Sequence, residues 1–497
     1  MSKIVLTAER TLMSDYNGAL FLGFMSTGPS NLIPQRLFFK LVCPPVPEKD
    51  GRVVLAPYGT RKIEAALLES GFSEDDVKIV NPDRIHRHIT KETKIVGITT
   101  NDPLGLGPAS TTFSGETGFV NNPSYNRMKF EELLRRLRKF DVKIVVGGPG
   151  AWQLENEAAR KRLGIDVVVV GEGEKVVPDL FRKILNGEKV PEVVYGKAVP
   201  ENEIPRIRGA TIGGLVEISR GCGRGCKFCV PTMRRLRSRP LEDILYEAKA
   251  VVEGGKDIVT LHAEDVLRYK ARGFNVNREE VLRLFEEVHR IAKNVGISHF
   301  ALSSVASAPE VVERISEILE IPNERQPWLA GQTGIETGSH RLIEKYMPGK
   351  AKPFSPNEWR DVVTQAFQIC SDANWVPCAT IIMGFPEETE DDVVATMELI
   401  EELKDYKSLI VPLFFVPANE MAGERFSVHK MRRYHWELVL ACWRHNVRWL
   451  KPLAKEYLDK MPAISRMFMN KFIDWVVRKA SKKVEEYILE RMETCPT

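Results

Sequence analysis

Four valines in a row, Val167–Val170, narrow the options for this chain more than any other stretch. A strand with one face in water alternates polar and apolar residues. A strand that is apolar at every position is covered on both faces, as in a parallel sheet layered between helices. The pattern recurs: VVLAP (53–57), VKIVNP (77–82), KIVGITT (94–100), VKIVVGGPG (142–150) and IDVVVVGEGE (165–174) read as strands. RKIEAALLESG (61–71), MKFEELLRRLRKF (128–140) and VVPDLFRKILNGE (176–188) carry apolar residues at helical spacing. Alternation of this kind predicts an α/β, doubly wound, Rossmann-like domain over residues 1–195.

In such a domain the ligand edge lies beyond the C-terminal ends of the strands. The loops there hold Gly147 and Gly148, then Gly171, Glu172 and Gly173. A longer excursion, 103–118, holds Gly105, Gly107, Ser110, Thr111, Thr112 and Ser114. Glycine lets backbone approach a large flat or phosphorylated ligand, and it serves tight turns equally well. The excursion is longer than an ordinary strand–helix connection, so a functional loop and a plain surface excursion both stay open.

At 497 residues the chain exceeds what one hydrophobic core organises. Its 71 basic and 67 acidic residues nearly cancel, which argues against a nucleic-acid partner. Eight cysteines are too few for a disulfide framework. Cys43, Cys370, Cys378, Cys442 and Cys495 are scattered, as expected of a reduced, cytoplasmic compartment. No apolar run reaches the length of about 18 residues that a transmembrane helix needs, and MSKIVLTAERTL does not read as a leader.

The other three cysteines, Cys222, Cys226 and Cys229, fall within GCGRGCKFC (221–229), just past a short strand, LVEISRGC (215–222). A disulfide would leave one thiol over. Structural zinc wants four ligands, with only His262 in view as a fourth, and an iron–sulfur cube wants four thiolates or three plus an exchangeable ligand. Downstream, strand and helix alternate again. DIVTLHAED (257–265), HFALSSVAS (299–307), WLAGQTGIETGS (328–339), WVPCATIIMGFPEET (375–389) and LIVPLFFVPAN (409–419) read as strand-plus-loop units. DILYEAKAVVEGG (243–255), REEVLRLFEEVHRIAKNV (278–295) and PEVVERISEIL (309–319) read as helices. Polar groups gather at the strand ends: Glu264, Asp265, Ser303 and Glu336, with Gly384 opening GFPEET. The basic run MRRLRSR (233–239) either approaches a phosphate or an amide-rich ligand edge, or covers a solvated face.

The C-x-x-x-C-x-x-C spacing, with Phe228 before the last cysteine, resembles the signature of the radical S-adenosylmethionine (SAM) superfamily. GIETGS (334–339) and GFPEET (384–389) resemble that family's fourth and fifth strands, and VVGGPG (145–150) with DVVVVGEGE (166–174) resembles the cobalamin-binding domain found ahead of many members. Gly150 stands where that domain often has histidine. The resemblance implies four segments: a Rossmann-like, cobalamin-binding-like domain (1–195), a linker (196–214), a partial (β/α)6 barrel (215–420) and a helical cap (421–497). It implies that Cys222, Cys226 and Cys229 hold a [4Fe-4S] cluster whose fourth iron binds SAM. An external one-electron donor would then drive cleavage to a 5′-deoxyadenosyl radical. Glu336 would serve the ribose or sulfonium, Glu264 or Asp265 the methionyl ammonium, and Phe228 and Gly384 the adenine, with Ser303 nearby. Gly105, Gly107, Gly147, Gly148, Gly171, Glu172 and Gly173 would face cobalamin. The implied activity is a cobalamin-dependent methyltransferase acting on an unactivated carbon of a small-molecule, lipid or peptide substrate. The alternative is non-methylating radical chemistry beneath a cobalamin-free lid. A tRNA methylthiotransferase fits less well, because that family carries additional amino-terminal cluster cysteines and here only Cys43 is present. The aromatic, basic C-terminal segment leaves peripheral membrane contact open.

Overall fold

The computed structural model describes residues 2–230, 233–417, 421, 423–458, 463–475, 477–478 and 481–495. The chain divides into two compact units, residues 1–216 with 239–259, and residues 217–238 with 260–497.

The first unit is built on a six-stranded parallel sheet. Its strands are β1 (Ile4–Ala8), β2 (Val77–Ile79), β3 (Ile95–Thr99), β4 (Lys143–Gly147), β5 (Val167–Gly171) and β6 (Val193–Gly196), in the spatial order β2-β1-β3-β4-β5-β6. The valine run behaves as its composition requires. Val167 and Val169 enter a core with Ile4, Leu6, Ile79, Leu180 and Phe181. Val168 points the other way, into a core with Val5, Val96, Phe130, Leu134 and Val146. Both faces are therefore buried, by Val177–Leu185 on one side and Tyr125–Leu137 on the other.

Two assignments in this unit change. VVLAP is not a sheet strand: only Arg52–Val53 is extended, paired antiparallel with Glu48–Lys49. The strand lies instead at Ile4–Ala8, where every residue is buried between β2 and β3. Both stretches are short apolar runs, and pairing partners rather than propensity decide which joins the sheet. The excursion at 103–118 contains a short helix, Pro108–Phe113. A buried ionic knot also marks this unit. Glu247 accepts from Lys62 at 2.6 Å, from Arg239 at 2.7 and 2.9 Å, from Tyr58 at 2.8 Å and from the Ile207 N–H at 3.0 Å. That last bond pins the 196–214 segment.

In the second part of the chain, β7 (Leu215–Glu217), β8 (Ile258–His262) and β9 (Asn294–Ile297) form one sheet in the order β9-β8-β7. β10 (Leu329–Glu336), β11 (Trp375–Met383) and β12 (Leu409–Phe414) form a second, parallel sheet. The third strand was misplaced from sequence. HFALSSVAS holds a helix, Leu302–Ser307, and the strand is Asn294–Ile297, whose first two residues fall within the 278–295 stretch expected to be helical. That helix stops at Ile291; the β-branched Val295 and Ile297 suit a strand better than a helix interior. The last strand unit, read as 409–419, ends as a strand at Phe414, and 418–419 lie outside the described residues.

Helices Arg433–Leu458, Ala463–Trp475 and Ser481–Thr494 close the chain. The first seals the sheet edge. The Asn446 amide accepts from the Ile410 N–H and donates to the Ile410 carbonyl, both at 2.7 Å, replacing the strand that β12 lacks. No helix among the described residues is long and apolar enough to cross a membrane.

Candidate functional site: a three-cysteine loop

The cysteine loop is shaped by its backbone. Ser219–Arg220 pairs antiparallel with Arg237–Ser238, so the intervening segment leaves and returns at one point. Gly221, Gly223 and Gly225 all lie in the left-handed region, at φ +72, +71 and +69. At Gly221 no other residue fits, because a Cβ would stand 2.5 Å from the carbonyl oxygens of Met233 and Arg235. Sequence reading noticed these glycines but missed the residue between them. Arg224 is buried and ties the loop to the rest of the unit. Its Nη1 donates to the carbonyls of Gly349 at 3.1 Å, Lys350 at 3.3 Å and Lys352 at 2.7 Å. Its Nη2 donates to Asp265 Oδ2 at 3.2 Å and to Ser304 Oγ at 2.8 Å, and Ser304 in turn donates to Asp265 at 2.7 Å.

The three thiols feel one another. Burial pushes Cys226 up to about 11, with Cys222 and Glu336 adding to the rise against Lys350 and Arg224. Burial followed by Cys222 and Cys226 pushes Cys229 up to about 12. Buried sulfurs such as Cys226 and Cys229 become thiolates only around positive charge, and a polynuclear iron–sulfur core supplies it while giving each sulfur its own iron. Among the described residues no group of three or more His, Cys, Asp or Glu side chains is arranged around a single metal position. The donor set fits a cubane cluster held by three cysteines.

Around this loop the expected SAM residues take distinct places. Glu336 sits at the C-terminal end of β10, at φ +65, where the pairing with β11 slips past a bulge. Its Oε1 accepts from Lys350 at 2.9 Å and its Oε2 from Thr380 at 3.3 Å. Burial opposes the charge on Lys350, but Glu336 and Cys226 outweigh it and hold this lysine above its ordinary value. Lys350 thus stands between the cysteine loop and Glu336, a role with no sequence signal in YMPGKAK. Ser303 is fully buried and donates to the Lys350 carbonyl at 2.7 Å, so it positions that lysine's backbone. Asp265 is buried, with Oδ2 spent on Arg224 and Ser304 and Oδ1 without a partner, whereas Glu264 is exposed.

Phe228 meets Phe385 at 6.2 Å, and Phe385 stacks on Tyr346 at 5.6 Å. Gly384, at φ +82, donates its N–H to Glu388 at 2.8 Å, and a Cβ there would run into the Phe426 ring. His435 accepts the Arg432 N–H at Nδ1, so its Nε2 carries the proton and donates to Glu388 at 3.0 Å. The first C-terminal helix therefore fixes the GFPEET loop through one histidine. His262 and His299 both place Nδ1 3.0 Å from Ser298 Oγ, and burial pushes His299 down to about 4. Cys378 is a buried thiol on β11, pushed by burial up to about 12.

In the first unit Asp102, unnoticed in the sequence, organises the 103–118 excursion. It accepts from the Gly107 N–H at 2.9 Å, Gln153 at 2.7 Å and Asn126 at 3.3 Å. Gly105 has φ +68 and Gly148 φ +100, and a Cβ on Gly148 would meet the Thr100 carbonyl at 2.7 Å. Gly147 ends β4. Gly171 needs no ligand to explain it, since a Cβ there would strike the Gly196 carbonyl of the neighbouring strand. Glu172 accepts the Val199 N–H at 2.8 Å, and Gly173 packs against Ile63. Of the basic run, Arg239 belongs to the Glu247 knot and Arg237 to the strand pair below the cysteines.

Residues 216–400, which carry the cysteine loop and Glu336, match the family model of the radical SAM superfamily. The chain contains a radical SAM domain. Its curated relatives include tRNA-2-methylthio-N(6)-dimethylallyladenosine synthases. The one from Thermosipho africanus is 25% identical over 366 residues, 71% of this chain and 76% of the relative. The one from Thermotoga petrophila is 27% identical over 310 residues, 60% of this chain and 66% of the relative. Among solved structures, the radical SAM methyltransferase TsrM from Kitasatospora setae, with cobalamin and a [4Fe-4S] cluster bound, superposes with a TM-score of 0.55 at 15% identity. That match covers 85% of this chain and 77% of TsrM. The same enzyme with tryptophan and a SAM analogue gives 0.55 at 14% identity. These likenesses extend the shared fold beyond the radical SAM domain. A [4Fe-4S] cluster and SAM are the cofactors expected of such a domain.

Proposed function

We propose that this chain is a cobalamin-dependent radical SAM methyltransferase acting on an unactivated carbon. Its first unit is read as a Rossmann-like cobalamin-binding domain and its second as a partial (β/α)6 barrel with a helical cap. The carrying observation is the three-thiol loop, set beside Glu336 and Lys350 in a radical SAM domain that follows a six-stranded parallel sheet. When bound, the cluster and SAM supply the 5′-deoxyadenosyl radical, and cobalamin supplies the methyl group.

This chain's residues do the rest. Arg224 and the three glycines hold the thiols in place, Glu336 and Lys350 present paired charge to the SAM ribose and sulfonium, and the Phe228–Phe385 pair offers adenine an aromatic edge. One observation in the first unit supports a corrin. The hydroxyls of Thr100, Ser110, Thr111 and Ser124, all around the excursion past β3, are buried without a hydrogen-bond partner. Such groups call for a polar ligand or bound water. A Cβ on Gly150 would overlap the Asn101 backbone, so no histidine reaches out from that position toward cobalt. The substrate is taken to be a small molecule, lipid or peptide rather than nucleic acid.

The sequence relatives favour one second reading, a methylthiotransferase acting on tRNA. Against it, the first unit holds one cysteine, Cys43, which is buried. One experiment separates the readings. The protein is reconstituted anaerobically with iron, sulfide and hydroxocobalamin, desalted and analysed, then given SAM and dithionite. About four irons and one corrin per chain, with 5′-deoxyadenosine formed, is the expected result. About four irons without corrin sends the assignment to non-methylating radical chemistry, and about eight irons to a two-cluster methylthiotransferase. Failure to hold iron overturns the radical reading.

A further inference from the structure

Beside the cysteine loop lies a second buried arginine that the foregoing roles do not use. Arg268 follows β8 on a single 3-10 turn, Val266–Arg268, and is 3% exposed. Its Nη2 donates to the Gly273 carbonyl at 2.7 Å, and its guanidinium lies over the Phe274 ring at 5.3 Å. Its Nε and Nη1 are buried with no hydrogen-bond partner. A Cβ on Gly223, between Cys222 and Arg224, would stand 3.5 Å from Arg268 Nη2, so the guanidinium abuts the loop backbone at its first cysteine. Burial, then Arg224, weakens its hold on the proton, while Asp265 and Cys222 strengthen it. Asp265 is the carboxylate among these groups, and it is already engaged by Arg224 at 3.2 Å. Among the described residues Arg268 therefore pairs with no carboxylate of its own.

A buried cation without its own counter-ion is costly, and the compensating charge is expected from what the site binds. A cubane core held by three thiolates carries a net negative charge that grows by one on reduction. We infer that Arg268 is a charge-tuning residue: its guanidinium favours the reduced cluster and raises the potential at which the cluster accepts its electron. This rests on the radical SAM reading and goes beyond it. Arg268 touches no substrate in this role. It acts through the loop that carries Cys222.

The test is an electron-paramagnetic-resonance-monitored redox titration of the reconstituted full chain, first without SAM and then with it, using dithionite as the one-electron reductant. Arg268→Met and Arg268→Gln remove the charge, and Arg268→Lys keeps it. The neutral variants should load iron as the parent does and show a more negative midpoint, with Arg268→Lys restoring it. If the neutral variants lose the cluster while Arg268→Lys retains it, the charge serves to assemble the cluster rather than to tune it, and the inference is overturned. Neutral variants with the parent midpoint overturn the inference. Loss of the cluster in Arg268→Lys as well makes Arg268 a packing residue and overturns it too. A midpoint that shifts only when SAM is present assigns the guanidinium to the SAM carboxylate instead, and also overturns it. A parent that fails to load iron condemns the radical SAM reading itself, a result distinct from all of these.

Discussion

Replacing Arg224 with methionine tests how the cysteine loop is held. The side chain donates to three carbonyls between Gly349 and Lys352 and to Asp265 and Ser304. Methionine fills much of the volume and makes none of these bonds. Asp265, 1% exposed, then keeps only the Ser304 hydroxyl on Oδ2, with Oδ1 already unpartnered. Removing one partner of a buried ion pair costs about 3–5 kcal/mol, chiefly from the charge left behind. Asp265→Asn on the Arg224→Met background removes that charge and should return about 1–2 kcal/mol, a coupling typical of contacting residues. The assay is urea unfolding of the apo chain followed by tryptophan fluorescence, with iron per chain measured after reconstitution. Arg224→Met should shift the unfolding midpoint of the radical SAM domain downward and lower iron loading. Stability within about 0.5 kcal/mol of the parent, with full loading, would refute the reasoning. So would a double variant no better than the single one.

Glu9, buried past β1, is pushed up to about 7 by burial, against hydrogen bonds from Thr11. Its folded value lies above its unfolded one, so its contribution is fully present below about pH 4.5 and lost as pH rises through about 7, some 3 kcal/mol in all; Glu9→Gln should flatten that slope in pH-dependent unfolding of the first unit, and an unchanged slope would refute it. Gly221→Ala combines a left-handed backbone with a 2.5 Å clash against two carbonyls, so iron retention should collapse; normal loading would show that the loop moves freely. Glu336→Gln takes the counter-charge from Lys350 Nζ, 2.9 Å away, and should weaken equilibrium SAM binding by about 10–100-fold while the cluster still loads. Unchanged affinity there would release Glu336 from the SAM site.

By itself the sequence determined the layered plan and put three thiols in one loop. An all-valine strand needs apolar cover on both faces wherever it sits, and Val167–Val170 have it on both. Three thiols at short spacing stay within one loop, but spacing alone leaves their geometry to the backbone, here to the left-handed Gly221, Gly223 and Gly225. What local pattern left undecided was choice among equals. VVLAP and IVLTA have similar propensity, and the sheet took the second because β2 and β3 flank it. Asn294–Ile297 became a strand at the end of a helical pattern for the same reason. The partners of the site were invisible for a different cause. Lys350, Asp102 and His435 are single charged or polar residues in unremarkable local sequence, and Arg224 sits among the cysteines without a pattern of its own. Their roles arise from groups 14, 51, 47 and 125 positions away. Charge and hydrogen bonding act through space over a few ångströms, so only the folded chain decides which carboxylate, carbonyl or thiol each one meets.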